Sequence, residues 1–165
     1  MKRVLITGMS GTGKSSVIHQ LAAQGFDAVD LDSSDFSHWV EVLPGTSEHP
    51  TPAPGRDRVW REDRVQEMLA NESGDVLFVS GCAENMSKFV SRFDHIVLLS
   101  APADVIAERL RRRTNNQFGK RPEELGQVMT VLQTVEPLLR QLADHEIDTR
   151  ASLDEVVAAV LTHVS

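Results

Sequence analysis

Apolar residues fall along this chain in short continuous runs, separated by stretches with helical spacing. Val4-Leu5-Ile6, Val76-Leu77-Phe78-Val79 and Ile96-Val97-Leu98-Leu99 are apolar without interruption and too short for helices. Such runs read as strands buried on both faces. The pattern predicts strands over Lys2 to Thr7, Phe26 to Asp32, Val76 to Gly81, His95 to Leu99 and, shorter, His145 to Asp148. Between them, helices are expected over Ser15 to Gln24, over Val59 to Asn71 with Val65, Met68 and Leu69 inward, over Ala83 to Arg92, and over Ala103 to Arg113 after Pro102. A short helix over Ser33 to Val42 would put Phe36, Trp39 and Val40 on one side. Pro122 opens a long helix to about Ala143, bent at Pro137. Ser152 caps the last helix, with Glu155 three residues on as in a capping box. Gly25 and Gly74 end the helices before them.

Strands alternating with helices, each strand apolar through its length, predict a parallel sheet covered on both faces. The expectation is a single three-layer α/β/α domain over residues 1–165 with a five-stranded parallel sheet. Ligands gather at the carboxyl ends of the strands in such sheets. Two stretches stand apart. Leu43 to Arg58 carries Pro44, Gly45, Pro50, Pro52, Pro54 and Gly55, four of the seven prolines. It reads as a surface excursion, either a mobile lid or part of an acceptor pocket, within an acceptor-side insertion over about 33–73. Thr114 to Arg121 is polar, inside a candidate short basic lid over about 113–122.

Composition narrows the class. The 165 residues are 41% hydrophobic and 25% charged, as in an ordinary soluble globule. The net charge of −7 argues against a broad nucleic-acid or anionic-membrane surface. The single cysteine, Cys82, excludes an internal disulfide framework, fits a reducing cytosol and reads as a small buried hydrophobe. The first strand begins at Lys2, leaving no room for a signal peptide, and no apolar run approaches a membrane span. The expected location is cytoplasmic, as a monomer or homodimer. The six histidines show no metal-ligand spacing.

The chemistry is concentrated in Gly8-Met9-Ser10-Gly11-Thr12-Gly13-Lys14-Ser15, a G-x-x-x-x-G-K-[ST] phosphate loop with a strand before it and a helix after it. Its glycines permit a tight turn with N–H groups pointed inward, and the helix dipole favours an anion. Gly8, Ser10, Gly11, Thr12, Gly13, Lys14, Ser15 and Ser16 form the candidate nucleotide site. Lys14 would reach the β- and γ-phosphates of ATP, and the Ser15 hydroxyl would ligate Mg²⁺.

Asp30 and Asp32 share a face at the end of the second strand. One would hold a Mg²⁺-bound water, and the other would orient an acceptor hydroxyl or take its proton. The alternative is that Asp32 caps a following helix and Asp30 is solvated. Arg109 and Arg113 lie one helical turn apart, and six basic residues with no acid fill positions 109 to 121. Either a solvated helix end or a lid closing on the transferring phosphoryl group accounts for that run. Trp60-Arg61 is either a clamp for an anionic or planar acceptor or a core tryptophan beside a surface arginine.

Together these features resemble the small P-loop kinases, most closely the shikimate kinase and gluconate kinase branch. The chain is also similar to bacterial proteins labelled broad-specificity nucleotide kinases or AAA-type ATPases. The resemblance implies that Asp30 holds the Mg²⁺ water and Asp32 the acceptor hydroxyl. It implies that Arg61, after aromatic Trp60, binds an acceptor carboxylate and that Gly81 and Cys82 line the acceptor site. Arg109 would stack on adenine, Arg113 would be the lid arginine on the phosphates, and Thr149 to Ser152, with Ala151, would form the adenine-side loop. Two departures limit it. The run after the third strand reads Gly81-Cys82-Ala83, against shikimate itself, and the Asp-Gly-x-Pro pattern of adenylate kinases is missing. Ser80 stands where a mechanical AAA-type ATPase needs an acid. The expected activity is ATP-dependent phosphoryl transfer to a small hydroxyl or phosphate acceptor, with Lys14, Asp32 and Arg113 as the catalytic set. The other reading is a nucleotide-binding regulatory protein with slow ATP hydrolysis.

Overall fold

A computed structural model describes residues 1–43, 55–114 and 120–165. Five strands form one parallel sheet: β1 (Lys2–Thr7), β2 (Asp27–Asp30), β5 (Val76–Ser80), β6 (His95–Ser100) and β7 (His145–Asp148), in the order β2-β5-β1-β6-β7. Alternation along β1 shows why both faces are apolar. Val4 and Ile6 join a core with α1 (Lys14–Ala23) and α6 (Leu153–Val164) on one face. Leu5 joins the opposite core, with α2 (Glu62–Ala70) and α5 (Glu136–Leu142). The fold is the expected three-layer α/β/α sandwich. All three β1 side chains are fully buried, each contributing about 1.5–3 kcal/mol of transfer free energy. Ile106 and Leu110 of α3 (Ala103–Arg112) form a third cluster with Val128 of α4 (Pro122–Thr134).

Gly25 follows α1 at φ 93°, and the Ser152 hydroxyl accepts from the Glu155 N–H at 3.2 Å. Four expectations need correction. Ser33 to Val42 is not a helix: turns over 31–36 lead into strand β3 (Ser37–Glu41), which pairs antiparallel with β4 (Arg56–Trp60) as a separate ribbon. His38-Trp39-Val40 is aromatic and β-branched, and a partner strand wins over a ten-residue helical spacing. For the same reason the Val59 helix starts at Glu62, because Val59 and Trp60 are committed to β4. Ala83 to Arg92 is two short 3₁₀ segments, Glu84–Lys88 and Val90–Arg92. The long helix is broken rather than bent: α4 ends at Thr134, and Pro137 sits in the first turn of α5, where its missing N–H costs nothing.

The Pro-rich run lies mostly outside the described residues, with Pro44, Gly45, Pro50, Pro52 and Pro54 among those not described. Residues 115–119 of the candidate lid are likewise outside them. No helix among the described residues is long and apolar enough to cross a membrane.

Candidate active site

The phosphate loop leaves the carboxyl end of the central strand β1 and closes on α1. Gly8 has no room for a side chain: a Cβ would stand 2.5 Å from the Leu99 carbonyl oxygen and 2.9 Å from Thr12 Oγ1. Above Gly13 the reverse holds, since a Cβ there would meet nothing within 4 Å. The loop is thus packed against β6 beneath and open above, as a phosphate cradle requires. Lys14 Nζ folds back to donate to the carbonyls of Gly8 at 2.6 Å and Met9 at 3.1 Å. The ammonium is held over the loop, beside the space that phosphates would take. Ser10 is half-buried, while Ser15 and Ser16 are exposed at the start of α1. The Ser15 hydroxyl has no hydrogen bond among the described residues. Thr12 differs from expectation. It is fully buried, and its hydroxyl donates to the Met9 carbonyl at 2.8 Å, tying the loop rather than facing a ligand.

Strand β2 ends at Asp30, so Asp32 lies beyond the strand and the two acids do not share a strand face. They are brought together instead by a local turn, in which the Asp32 N–H donates to Asp30 Oδ1 at 2.9 Å. Ser80 Oγ also donates to that oxygen, at 3.4 Å. Asp30 Oδ2 has no hydrogen bond among the described residues. No helix follows Asp32, which leaves nothing for it to cap.

Asp32 is the most constrained acid of the site. Its Oδ1 accepts from the Trp60 indole Nε1 at 3.2 Å and from the Cys82 N–H at 3.4 Å. Burial raises its pKa above the ordinary carboxylate value, Asp30 adds to the rise, and Lys14 and the Trp60 hydrogen bond oppose it. Gly81 permits the arrangement: a Cβ there would lie 2.9 Å from Trp60 Cζ2 and 3.0 Å from Asp32 Oδ1. Half-buried Cys82 sits beside the same carboxylate, and burial pushes its thiol pKa up. It is a lining thiol, not a thiolate nucleophile.

Trp60 is 1% exposed, so it is no clamp for a planar acceptor; it is a core side chain whose N–H serves Asp32. Asn85 explains its placement. The Asn85 side chain accepts from the Trp60 N–H at 3.1 Å and donates to the Trp60 carbonyl at 2.9 Å, standing in for a neighbouring strand at the end of β4. Arg61 is half-buried, and its backbone N–H donates to the Phe36 carbonyl at 2.6 Å.

On the other side of the loop, Arg109 and Arg113 do not share a helix face. Arg113 lies just past the end of α3 in an extended conformation, half-buried, and desolvation lowers its pKa. Arg109 Nη1 donates to Thr149 Oγ1 at 2.7 Å and to the Gly11 carbonyl at 3.3 Å, and Nη2 donates to the Thr149 carbonyl. One guanidinium therefore joins α3, the phosphate loop and the segment after β7. Thr149 is itself fixed by its N–H and hydroxyl donating to the Ser100 carbonyl, while Ala151 is exposed.

Sequence reasoning missed Arg58, whose Nη2 donates to the Asp32 carbonyl at 3.3 Å, and Trp39, which lies opposite it in the ribbon. The available signal was Arg56-Asp57-Arg58-Val59-Trp60, an alternating run that only a strand would turn toward one face.

A glycine-rich phosphate loop at the central strand, with acids at the end of β2 and arginines after β6, defines a small P-loop kinase. The chain matches the AAA_18 family model, described as an AAA domain, over residues 4–130 and belongs to that family. It is 29% identical to a shikimate kinase of Rhodopseudomonas palustris over 95% of this chain and 80% of that protein. The shikimate kinase of Acinetobacter baumannii in complex with shikimate superposes at a TM-score of 0.66 with 16% identity, covering 99% of this chain and 93% of that one. A gluconokinase of Sinorhizobium meliloti gives 0.55 with 18% identity, over 99% and 91% of the two chains.

Proposed function

We propose that this protein transfers the γ-phosphoryl group of ATP to a small acceptor bearing a hydroxyl or phosphate group. The observation that carries this reading is the half-buried Asp32 carboxylate, held by the Trp60 indole and the Cys82 N–H near Lys14 and beside an open phosphate loop. A protein that only bound nucleotide would have no need to hold a second carboxylate there, partly withdrawn from water, where its ionisation is disfavoured. Lys14 and the loop N–H groups bind the β- and γ-phosphates, with Gly8 and Gly11 letting the loop pack closely beneath and Gly13 leaving the space above it open. Ser15 and Asp30 would hold Mg²⁺, whose role is to neutralise charge on those phosphates. Asp32 orients the acceptor hydroxyl and accepts its proton. Arg113 stabilises charge on the transferring group, with the segment over 113–122 acting as the lid. Arg109 holds the adenine-side segment at Thr149 and Ala151, while Gly81, Cys82 and Arg61 border the acceptor.

The test is ADP release from ATP·Mg²⁺ across a panel of sugar acids, sugar phosphates, nucleoside monophosphates and antibiotic alcohols. At least one should raise turnover well above the rate without acceptor, and Arg113→Ala should reduce both rates. Slow hydrolysis indifferent to every acceptor would make the protein a nucleotide-binding regulator instead.

A further inference from the structure

One face of the β3–β4 ribbon is aimed at the acceptor side of the site and carries a distinctive set of groups. Ser37 faces Trp60 across the ribbon, Trp39 faces Arg58, and Glu41 faces Arg56. Along this face the Trp60 indole reaches the Asp32 carboxylate and the Arg58 guanidinium reaches the Asp32 backbone. Trp39 stands next, 40% exposed, with the guanidinium carbons of Arg56 and Arg58 at 4.8 Å and 5.8 Å from its ring centroid. A guanidinium stacked on an indole keeps its in-plane N–H donors free and loses rotational freedom, so it is set for an anion in advance.

The charge balance is equally distinctive. The chain has a net charge of −7, yet Arg56, Arg58, Arg61 and Arg64 form no ion pair among the described residues. Even Glu41, opposite Arg56 in register, is not within ion-pair distance of it. Arg64 rests over the Phe36 ring at 5.9 Å. One guanidinium satisfies a carboxylate with a two-pronged pair of hydrogen bonds. Arg56 and Arg58, both against the Trp39 ring, exceed that need, and they match a dianion with three acceptor oxygens.

We propose that the acceptor is an alcohol that already carries a phosphate monoester, with that phosphate held by Arg56 and Arg58, whose guanidiniums rest against Trp39. The inference rests on the phosphotransferase reading above and narrows its acceptor. In the step, the free hydroxyl oxygen of the acceptor forms the new bond to the γ-phosphorus. The bond from that phosphorus to the β–γ bridging oxygen breaks, its electron pair leaves on ADP, and the hydroxyl proton passes to Asp32. The product is a bisphosphate.

The test uses the protein loaded with ADP·Mg²⁺, so that the phosphate loop is filled, and titrates glycerol 3-phosphate, glycerate and glycerol by calorimetry. The phosphate should bind at least about tenfold more tightly than the carboxylate, as an extra charge-assisted hydrogen bond provides. Arg58→Gln should abolish that preference, Trp39→Leu should weaken it several-fold, and Arg140→Gln, paired with Glu146 at the β7 edge of the sheet, should leave it intact. Equal or tighter binding of glycerate, no measurable binding of the phosphate, or a preference retained in Arg58→Gln would overturn the proposal. The phosphotransferase reading fails separately. If glycerol 3-phosphate binds through Arg58 but no acceptor drives ADP release, the anion site stands and phosphoryl transfer does not. If only uncharged or carboxylate alcohols are phosphorylated, transfer stands and this inference falls.

Discussion

The indole N–H of Trp60 donates to Oδ1 of Asp32 across 3.2 Å, so a side chain buried in the core orients the carboxylate beside the phosphate loop. That hydrogen bond favours the ionised carboxylate against the burial that disfavours it. Trp60→Phe keeps an aromatic ring facing Phe89, though a smaller one, and removes the donor. The Asp32 pKa should then rise further, and the pH profile of acceptor-dependent turnover should move to higher pH with ADP affinity unchanged. A profile that stays in place would show that the indole serves packing alone.

Asp32→Asn should reduce acceptor-dependent turnover by about a hundredfold, the lower end of general-base effects, because phosphoryl-transfer transition states are mostly loose. Hydrolysis without acceptor and ADP affinity should change little. Stability supplies a second readout with a definite sign. The folded-state pKa lies above the ordinary value of 3.8, so the folded protein binds more protons than the unfolded one as pH rises from there. Wild type should therefore lose stability relative to Asp32→Asn across that rise, until Asp32 is ionised in both states. Denaturant midpoints of the two proteins at several pH values check this, and a difference independent of pH would contradict it.

Lys14→Ala should leave the fold intact, since the side chain supplies no core volume. ADP·Mg²⁺ should raise the melting temperature of wild type and have little or no effect on the variant. Equal stabilisation of both would remove the phosphate-loop assignment.

Gly81→Ala would drive a methyl group into Trp60 and Asp32, at 2.9 Å and 3.0 Å. Overpacking of this kind costs about 1–3 kcal/mol. Chemical denaturation should show that loss, and acceptor-dependent turnover should fall further than nucleotide affinity, because the displaced carboxylate is the group proposed to meet the acceptor.

Arg109→Ala removes the guanidinium that joins the Gly11 carbonyl to Thr149. Amide exchange around the phosphate loop and Thr149 should speed up together, and ADP should bind more weakly. Arg109→Lys retains the charge but not the fork of donors, so it should restore affinity only in part. Faster exchange at Thr149 with the phosphate loop unchanged would mean that the two segments are not coupled through this residue.

Much of this molecule was legible in the order of its residues. The phosphate loop is a local device whose glycines, lysine and serine are adjacent in sequence, and its flanking strand and helix follow from neighbouring apolar positions. Strands buried on both faces declare themselves as unbroken apolar runs, which is why β1, β5 and β6 were recognisable and the layered α/β architecture with them. What only the tertiary structure decided depends on distant partners. Ser37 to Glu41 becomes a strand because Arg56 to Trp60 lies beside it, and nothing within a nine-residue window records that neighbour. Trp60 is core rather than clamp because Asn85 and Asp32, 25 and 28 residues away, satisfy its polar groups from opposite sides in sequence. Arg109 meets Thr149 across 40 residues, and Arg58 meets Asp32 across 26. Hydrophobic periodicity reports which face of an element is buried; it carries no information about which polar side chains meet once those faces have packed.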